Sequence, residues 1–250
     1  MGRKVRSMGW EGLWQWGDDV ARLEPLAEGV ANDVWTVRVG GRVAVGRLGV
    51  RSDADLAWET GLLGHLHRAG LTVPVPIPTV DGRLFAAGLV VMTHVEGGPP
   101  ETRDDWRRVA ETLHKLHRLT RDWPQRPGWR SSGDLLHAET GTRIDLRAMP
   151  PEGVARCRAA WARLVGRPTC VVHGDLNPGN VRMTGERVAL IDWDESRVDV
   201  PELDLVLPDN AAGLDDGLYD VAAQASAAWE AAVCWEDDYA VRRLAEVRAR

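Results

Sequence analysis

The chain has 250 residues, of which 44% are hydrophobic and 27% are charged, a balance that argues against a disordered chain. Its 31 basic and 37 acidic residues give a net charge of −6, which disfavours a general nucleic-acid binder because such proteins neutralise phosphates. The longest uncharged apolar run, Leu84–Val95, is too short to cross a bilayer, and the basic N-terminus lacks the apolar segment of a secretory signal. The three widely spaced cysteines match neither a disulfide framework nor a zinc pattern. We therefore predict a cytoplasmic protein with neither nucleic acid nor membrane as a partner.

The first part of the chain has the pattern of strands joined by tight turns. A short strand is predicted over Leu23–Leu26, followed by a polar turn at 27–33. Val34–Val39 alternates in the manner of a strand, and Arg42–Leu48 is its predicted return strand. The dipeptide Gly40-Gly41 between them is typical of a two-residue hairpin.

One helix is predicted after these strands. Ser52 or Asp53 can cap its N-terminus, and Gly70 marks its end after Ala69. The leucines that recur at helical spacing predict its buried face; they are Leu56, Leu62, Leu63 and Leu66.

A second hairpin and a buried strand complete this part of the chain. Asp81-Gly82 predicts the hairpin, and the apolar run Leu89–Met92 predicts the buried strand. The Gly/Pro cluster at 96–100 marks the predicted domain boundary. We therefore predict an N-terminal lobe over 1–95 and a C-terminal lobe over 96–250.

The second part of the chain is predicted to be mostly helical. A strand–loop–strand unit at 169–193 interrupts the helices, and the stretch 121–150 shows no regular pattern. The predicted helices cover 103–119, 151–165, 214–233 and 236–249.

The strand–loop–strand unit contains the residues with the clearest chemistry. The apolar strand Cys170–Val172 precedes the sequence HGDLNPGN, which contains Asp175 and Asn180. After a short hairpin, the apolar strand Val188–Ile191 ends at Asp192. We expect the two strands to be neighbours, so that their ends bring the three polar side chains together.

Two carboxylates and one amide oxygen form a ligand set that suits Mg²⁺ completed by water and phosphate. A carboxylate beside such a metal can also accept the proton of an attacking hydroxyl. The alternative is that Asp and Asn only form turns here, but the His-x-Asp-x₄-Asn spacing and the second Ile-Asp-Trp-Asp element occur together.

The sequences HGDLNPGN and LIDWD resemble the catalytic segment of the aminoglycoside phosphotransferase family. The resemblance implies that Asp175 is the catalytic base, that Asn180 and Asp192 bind Mg²⁺, and that His173 braces the loop. The later sequence VDVPELDL is similar to the family's Gly-Asp-Pro…Asp-Leu segment, with a valine where the glycine usually lies, which implies a structural role for Asp204. The remaining histidines are interpreted as ordinary helix or loop residues.

The resemblance also implies the fold and the reaction. The fold would be α+β and two-lobed, similar to that of protein kinases, with a small β-rich N-terminal lobe and a mostly helical C-terminal lobe. The activity would be ATP-dependent transfer of a phosphate to a hydroxyl of a small molecule, with Mg²⁺ as cofactor and GTP left open as the nucleotide.

The N-terminal part offers candidate nucleotide contacts. The polar turn with Gly29 and Asn32 lies where a kinase loop would cover the phosphates with backbone amides. Met92, Thr93 and Val95 resemble the hinge that reads adenine through backbone hydrogen bonds. An ordinary hairpin loop and an ordinary strand end are the alternatives.

A kinase of this kind needs a strand cation for the phosphates and a helix carboxylate to orient it. Glu59 is the predicted carboxylate. The chain's only two lysines lie elsewhere, so Arg47 is the predicted cation, with Arg42 and Arg51 as alternatives. Arginine is planar and pairs differently from lysine, which makes this the main departure from the family's pattern.

The segment 192–220 contains ten acidic residues and one arginine. Such a surface would attract a cationic acceptor such as an aminoglycoside or another amino alcohol, although a solvated acidic face has the same composition. Asp194 and Glu195 follow the proposed metal ligand most closely and are the predicted acceptor contacts.

Two other functions remain open on the sequence alone. A nucleotide-binding pseudokinase is favoured by the missing lysine. A metal-dependent phosphohydrolase would use His173 and Asp175, but it would need further metal ligands that the sequence does not offer.

Overall fold

A computed structural model gives the structure of most of the chain. The residues that it describes are 9–28, 32–141, 143–235 and 237–248. They divide into two compact units, of which the first ends at Gly97 and also includes Ala189–Ile191. The second contains Gly98–Val188 and the chain from Asp192 onward. The first unit is built on a β-sheet and the second is mostly helical, so the predicted α+β class is confirmed. No described helix is both long and apolar enough to span a membrane.

The first unit contains a four-stranded antiparallel sheet in which the strands follow chain order. The strands are β1 (Val20–Glu28), β2 (Asn32–Val39), β3 (Arg42–Gly49) and β4 (Leu89–Thr93). The hairpin between β2 and β3 turns at Gly40 and Gly41, whose φ angles of 54° and 74° are both left-handed. Glycine adopts these angles without steric cost, which is why this dipeptide predicted the turn correctly.

Strand β1 is longer than the predicted Leu23–Leu26. Its pairing with β2 is irregular on both sides of Pro25. Proline has no amide hydrogen to donate, and it is tolerated in a strand mainly at a sheet edge or bulge. β1 is such an edge strand, because in the described chain it pairs only with β2.

Helix α1 (Asp53–Arg68) follows the sheet as predicted. The Ser52 hydroxyl accepts a hydrogen bond from the Asp55 N–H at 3.2 Å and caps the helix. Gly70 follows the helix end with φ of 80°. All four leucines of the predicted apolar face are buried.

A 3₁₀ helix at Trp10–Trp16 packs on the sheet and was not predicted. Trp10, Leu13 and Trp16 are buried and belong to the same core cluster as Val37 and Leu89. These three residues recur every third position, which is the period of a 3₁₀ helix. Predictions based on periods of 2 and 3.6 do not detect that spacing.

The prediction of a β-hairpin at Asp81-Gly82 is wrong. The chain does turn there, since the Thr79 N–H donates to the Arg83 carbonyl at 2.7 Å and Gly82 has φ of 85°. No described strand flanks the turn. The prolines that precede it remove the amide donors that a strand ladder would need.

The second unit contains four helices close to their predicted positions: α2 (Arg103–Leu119), α3 (Pro151–Ala162), α4 (Asp216–Val233) and α5 (Asp238–Glu246). Residues Thr102 and Asp105 form a reciprocal capping box that fixes the start of α2. The Asp215 carboxylate accepts the Leu218 N–H at 2.9 Å and starts α4 two residues later than predicted.

Two small sheets accompany these helices. Strand β5 (Cys170–Val172) pairs antiparallel with β8 (Arg197–Asp199), a strand that was not predicted. Strands β6 (Val181–Thr184) and β7 (Arg187–Leu190) form the second sheet. The unpredicted stretch 121–150 contains two short 3₁₀ helices, and its apolar side chains join the core of this unit.

Candidate active site

The loop that follows β5 is held by one buried carboxylate. Asp204 accepts the backbone N–H of His173 at 2.7 Å and that of Gly174 at 3.0 Å. His117 Nε2 lies 3.0 Å from the same carboxylate. Burial raises the pKa of Asp204, but the hydrogen bond and charge of His117, the charge of His173 and the Gly174 N–H outweigh it, so the pKa lies below its ordinary value. Asp204 is therefore held in its charged, amide-binding form.

The interpretation of His117 as an ordinary helix residue is wrong. It is buried on α2, and its partner Asp204 lies 87 positions further along the chain. Two residues so far apart in the chain cannot be identified as partners from sequence patterns. Helical spacing alone places His117 on the face of α2 that includes the buried residues Leu113 and Leu116, and this is the only sequence signal for it.

The loop after β5 lies against the segment that follows β7. Gly174 has φ of 84°, and a Cβ atom built there would be 2.4 Å from the Glu195 carbonyl oxygen. Only glycine fits such a close approach. The rings of His173 and Trp193 also lie 4.9 Å apart between their centroids. The two loops are therefore in direct contact.

The expectation that β5 and β7 are neighbouring strands is wrong. β5 pairs with β8, and β7 pairs with β6. The loops after β5 and β7 meet through the close approach of Gly174 and Glu195 rather than through a shared ladder. A two-strand motif in sequence cannot reveal that a third strand, β8, occupies the partner position.

Asp175 is exposed, and two side-chain amides fix its carboxylate. Asn180 Nδ2 donates to Asp175 Oδ2 at 2.9 Å and to the Asp175 carbonyl at 2.9 Å. Asn177 Nδ2 donates to Asp175 Oδ1 at 3.1 Å. The side-chain amide nitrogen of Asn180 thus donates to Asp175. The side-chain oxygen of Asn180, Oδ1, accepts no hydrogen bond within the described residues.

Asp192 is exposed and has φ of 61°, in the left-handed region. Aspartate tolerates this conformation better than a branched residue does, yet holding it costs roughly 1–3 kcal/mol. Such angles cluster at ligand sites. The segment after Asp192 must therefore be held by other contacts.

Arg126 supplies those contacts, and sequence reasoning missed it. The side chain is buried, and its Nη1 donates to the carbonyls of Trp193, Asp194 and Ser196 at 3.1, 2.9 and 2.9 Å. Its guanidinium also lies 4.7 Å from the centre of the Trp129 ring. Backbone acceptors have no residue identity, so no sequence pattern signals this role.

The oxygen donors of this region suit a hard divalent cation. Asn180 offers an amide oxygen and Asp192 an exposed carboxylate, which are ligand types that Mg²⁺ binds together with water and phosphate. The described residues contain no cluster of three His, Cys, Asp or Glu side chains that could form a metal site on its own. A cation here would depend on Asn180 and on oxygens from the nucleotide.

In the first unit, the predicted pair of Arg47 and Glu59 is brought together in a buried ion pair. Their side chains are only 6% and 1% exposed. Arg51, one of the alternative cations, also binds Glu59, with Nη2 2.5 Å from Oε2, and it binds Asp55 at 2.8 Å. Arg42, the other alternative, is exposed. Glu59 therefore holds two arginines rather than one.

The predicted hinge is only partly available for a nucleobase. Met92 is buried, and the Thr93 N–H is committed to the Val75 carbonyl at 2.9 Å. Val95, in contrast, makes no backbone hydrogen bond to any described residue. Asn32 is buried at the start of β2, whereas Gly29 lies outside the described residues.

The acidic segment after Asp192 is partly compensated by basic side chains of the second unit. Several of its carboxylates bind bases of the same unit: Glu195 with Arg143, Asp199 with Arg197, Glu202 with Arg167, and Asp220 with Arg163 and Arg248. The charge count therefore overstates the attraction that this surface offers to a cation. Of the two predicted acceptor contacts, Asp194 is half-buried and Glu195 is ion-paired with Arg143.

A family model described as the phosphotransferase enzyme family matches residues 22–244. The chain belongs to this family. A homoserine kinase of Beijerinckia indica is 29% identical over 206 residues, which are 76% of this chain and 64% of that protein. A homoserine kinase of Methylorubrum populi is 34% identical over 187 residues, which are 67% of this chain and 57% of that protein. The chain thus spans less than two thirds of the length of these relatives.

Solved structures of several small-molecule kinases share the fold. A choline kinase of Streptococcus pneumoniae superposes with a TM-score of 0.67 at 14% identity and covers 98% of each chain. A microcompartment-associated aminopropanol kinase gives a TM-score of 0.63 at 17% identity, covering 96% of this chain and 93% of the other. An aminoglycoside phosphotransferase gives 0.66 at 16% identity, covering 95% of each. The predicted family and its kinase-like fold are thereby confirmed.

Proposed function

We propose that this protein transfers the γ-phosphate of ATP to the hydroxyl of a small alcohol that also carries an ammonium group. The observation on which the proposal rests is the exposed carboxylate of Asp175, which two asparagines orient on a loop fixed by buried Asp204. A carboxylate held in this way is suited to accept the proton of an attacking hydroxyl. Membership of the phosphotransferase family supports the same reaction.

In the proposed reaction the acceptor oxygen bonds to the γ-phosphorus while the bond from that phosphorus to the β,γ-bridging oxygen breaks. The hydroxyl proton moves to Asp175, and ADP leaves. Asn180 and Asp192 would hold Mg²⁺, which supplies positive charge to the phosphates. Positioning and charge stabilisation, rather than covalent chemistry, account for most of the catalysis of this kind of transfer.

We further propose that Arg47 contacts the phosphates and that Glu59 orients it. The buried ion pair between them supports this assignment, as does the requirement of phosphotransfer for a fixed cation. Arg51 stabilises Glu59 from its other oxygen. At the hinge, the backbone of Val95, which bonds to no other residue in the described part of the chain, would bind the nucleobase, since the Thr93 amide is already bonded to Val75.

The acceptor class is inferred from the relatives and from local charge. Proteins similar to this chain are named as kinases of homoserine, choline and aminopropanol, and all three molecules combine a hydroxyl with an ammonium group. Two acidic residues, Asp194 and Glu195, lie on the loop beside Asp175. An aminoglycoside shares this chemistry and is the second acceptor candidate.

The test is an acceptor panel with the purified chain and Mg·ATP. ADP release and the gain of one phosphate by the acceptor would be measured for L-homoserine, choline, 1-amino-2-propanol and an aminoglycoside, with GTP as the alternative nucleotide. Phosphorylated product on at least one of these acceptors is the expected result. Mg·ATP binding without any product would instead indicate a pseudokinase, which the arginine at position 47 favours. Phosphate release without an acceptor would indicate a phosphohydrolase.

Replacing the proposed base gives the sharpest single prediction. Asp175→Ala is expected to lower transfer by about 10²- to 10⁴-fold, because proton acceptance is lost. The loop itself should persist, since Asp204 binds the amides of His173 and Gly174. Turnover would be compared with that of Asp122→Ala, at an exposed aspartate, and melting temperatures would be measured for both. Wild-type turnover in Asp175→Ala would refute the base assignment.

A further inference from the structure

Arg143 and Glu195 form an ion pair next to the loop of Asp175, and no step of the proposed reaction uses it. Building on the proposed kinase function, we propose that this pair reads the acceptor and selects alcohols in which a carboxylate accompanies the ammonium group. The preferred substrates would then be hydroxy amino acids. Glu195 would receive the ammonium group, and Arg143 would receive the carboxylate.

Glu195 presents an acceptor atom that lacks a donor. Its Oε1 atom is bound by Arg143, whereas its Oε2 atom is buried and accepts no hydrogen bond from any residue that the structure describes. The side chain as a whole is only 14% exposed. Buried carboxylate oxygens in native proteins are almost always hydrogen-bonded, and one that is not calls for a ligand or another explanation. A bound ammonium group would supply the missing donor.

The electrostatic surroundings of Glu195 favour a cation. Burial raises the pKa of its carboxyl group, while Arg143 and Arg197 lower it and Asp194 and Asp175 raise it; the net shift is upward. The ionised form of this carboxyl group is therefore destabilised here, chiefly by burial. A ligand cation would stabilise that form, and perturbed carboxylates of this kind are frequent at functional sites.

Arg143 has unused donors beside this carboxylate. Its side chain is 35% exposed, and among the described residues its guanidinium is ion-paired only with Glu195 through Nη1. The guanidinium carries five N–H donors in a planar fork that matches a carboxylate. It can therefore bind a ligand carboxylate and Glu195 at the same time.

The pair lies beside the proposed base. The Glu195 carbonyl occupies the space where a Cβ of Gly174 would be, and Gly174 directly precedes Asp175. Asp175 is also close enough to influence the Glu195 carboxyl electrostatically. An amino acid held by its ammonium and carboxylate groups at this pair would place a side-chain hydroxyl toward Asp175.

An ordinary surface ion pair would look different. Such a pair leaves its second carboxylate oxygen in water and contributes little to stability. Here that oxygen is buried. The neighbouring pair of Arg147 and Asp145 shows the ordinary form, with side chains 62% and 48% exposed, and it supplies the matched control.

Three acceptors that differ by one group each test the proposal. L-Homoserine has both charges, 3-amino-1-propanol lacks the carboxylate, and 4-hydroxybutyrate lacks the ammonium group. We expect kcat/KM for homoserine to exceed that for either analogue by at least about tenfold. Equal or higher kcat/KM for 3-amino-1-propanol, or product only with choline or an aminoglycoside, would overturn this inference and leave the proposed kinase function intact. No product with any acceptor would contradict both.

Variants separate recognition from folding. Arg143→Gln should lower kcat/KM for homoserine by at least about tenfold more than it lowers kcat/KM for 3-amino-1-propanol, because only homoserine has a carboxylate contact to lose. Arg143→Lys should restore part of the homoserine activity, since it keeps the charge but not the fork. Arg147→Gln should leave kcat/KM unchanged for both acceptors. A parallel loss of both acceptors in Arg143→Gln, with an unchanged melting temperature, would refute the assignment.

Discussion

Arg47 in the first unit and Arg126 in the second are both buried, but they bind different kinds of partner. Arg47 binds the side-chain carboxylate of Glu59, which Arg51 also binds. Arg126 binds the carbonyls of Trp193, Asp194 and Ser196. The first arrangement joins a strand to a helix through opposite charges, and the second fixes the shape of a loop.

The difference determines which of the two could be found in the sequence. A cation on a predicted strand and an acid on a predicted helix are recognisable residue types, so the pair of Arg47 and Glu59 could be anticipated. Carbonyl oxygens occur at every residue, so the partners of Arg126 have no signature. Contacts that shape the loops of the proposed active site are thus the ones that sequence patterns miss.

The largest effect on stability is expected for Arg126→Met. The substitution leaves three buried or half-buried carbonyls without this donor, and hydrogen bonds to charged groups contribute about 1.5–3 kcal/mol each. We expect the free energy of unfolding to fall by about 3 kcal/mol, measured by urea denaturation. Arg130→Met is the matched control, because Arg130 is exposed and donates to one carbonyl, that of Thr140. Equal losses in the two variants would contradict the role given to Arg126.

A smaller loss of stability is expected for Arg47→Met. Removing one partner of a buried ion pair usually costs about 3–5 kcal/mol, but Arg51 remains bound to Glu59, so we expect about 1–2 kcal/mol. The proposed phosphate contact predicts a selective change in catalysis, with KM for ATP raised about tenfold in Arg47→Met and nearly unchanged in Arg51→Met. The opposite order of the two KM values would assign the phosphate contact to Arg51.

The smallest effect is expected for Glu195→Gln, as a change in how the melting temperature depends on pH. Burial raises the pKa of Glu195 above its ordinary value of 4.5, so the contribution of this group to stability is complete below pH 4.5 and is lost as pH rises through the folded pKa. The variant does not ionise and escapes that loss. The melting temperature of the variant minus that of wild type should therefore be more positive at pH 8 than at pH 4. A constant difference would mean that Glu195 titrates normally.

The fold was predictable where local signals agree with packing. The Gly40-Gly41 hairpin, α1 with its Ser52 cap, and the helices of the second unit follow from turn chemistry, capping and apolar spacing. The 3₁₀ helix at Trp10–Trp16 and strand β8 were missed. The 3₁₀ helix follows a period of three residues. Strand β8 has only three residues and forms because it pairs with β5, which lies far from it in the chain.

The sequence predicts which types of residue form the candidate site. It does not predict which residues those side chains contact. The motif predicts that Asp175 and Asn180 lie close together, but not that the Asn180 amide donates to the Asp175 carboxylate. It did not reveal that His117 binds Asp204 or that Arg143 binds Glu195, because these partners are 87 and 52 positions apart in the chain. The motif also does not reveal the partner of β5, since β8 comes from further along the chain and pairs with it.

The close approach at Gly174 has an evolutionary consequence. A side chain at this position would collide with the Glu195 carbonyl, so mutation there would separate the loop of the proposed base from its neighbour, and we expect the proposed transfer to be lost for every acceptor alike. Arg143, by contrast, belongs to an irregular stretch outside the regular helices and strands. Under the proposed assignment, exchange or insertion in that stretch would change the acceptor preference, while the residues proposed to move the phosphate would stay in place.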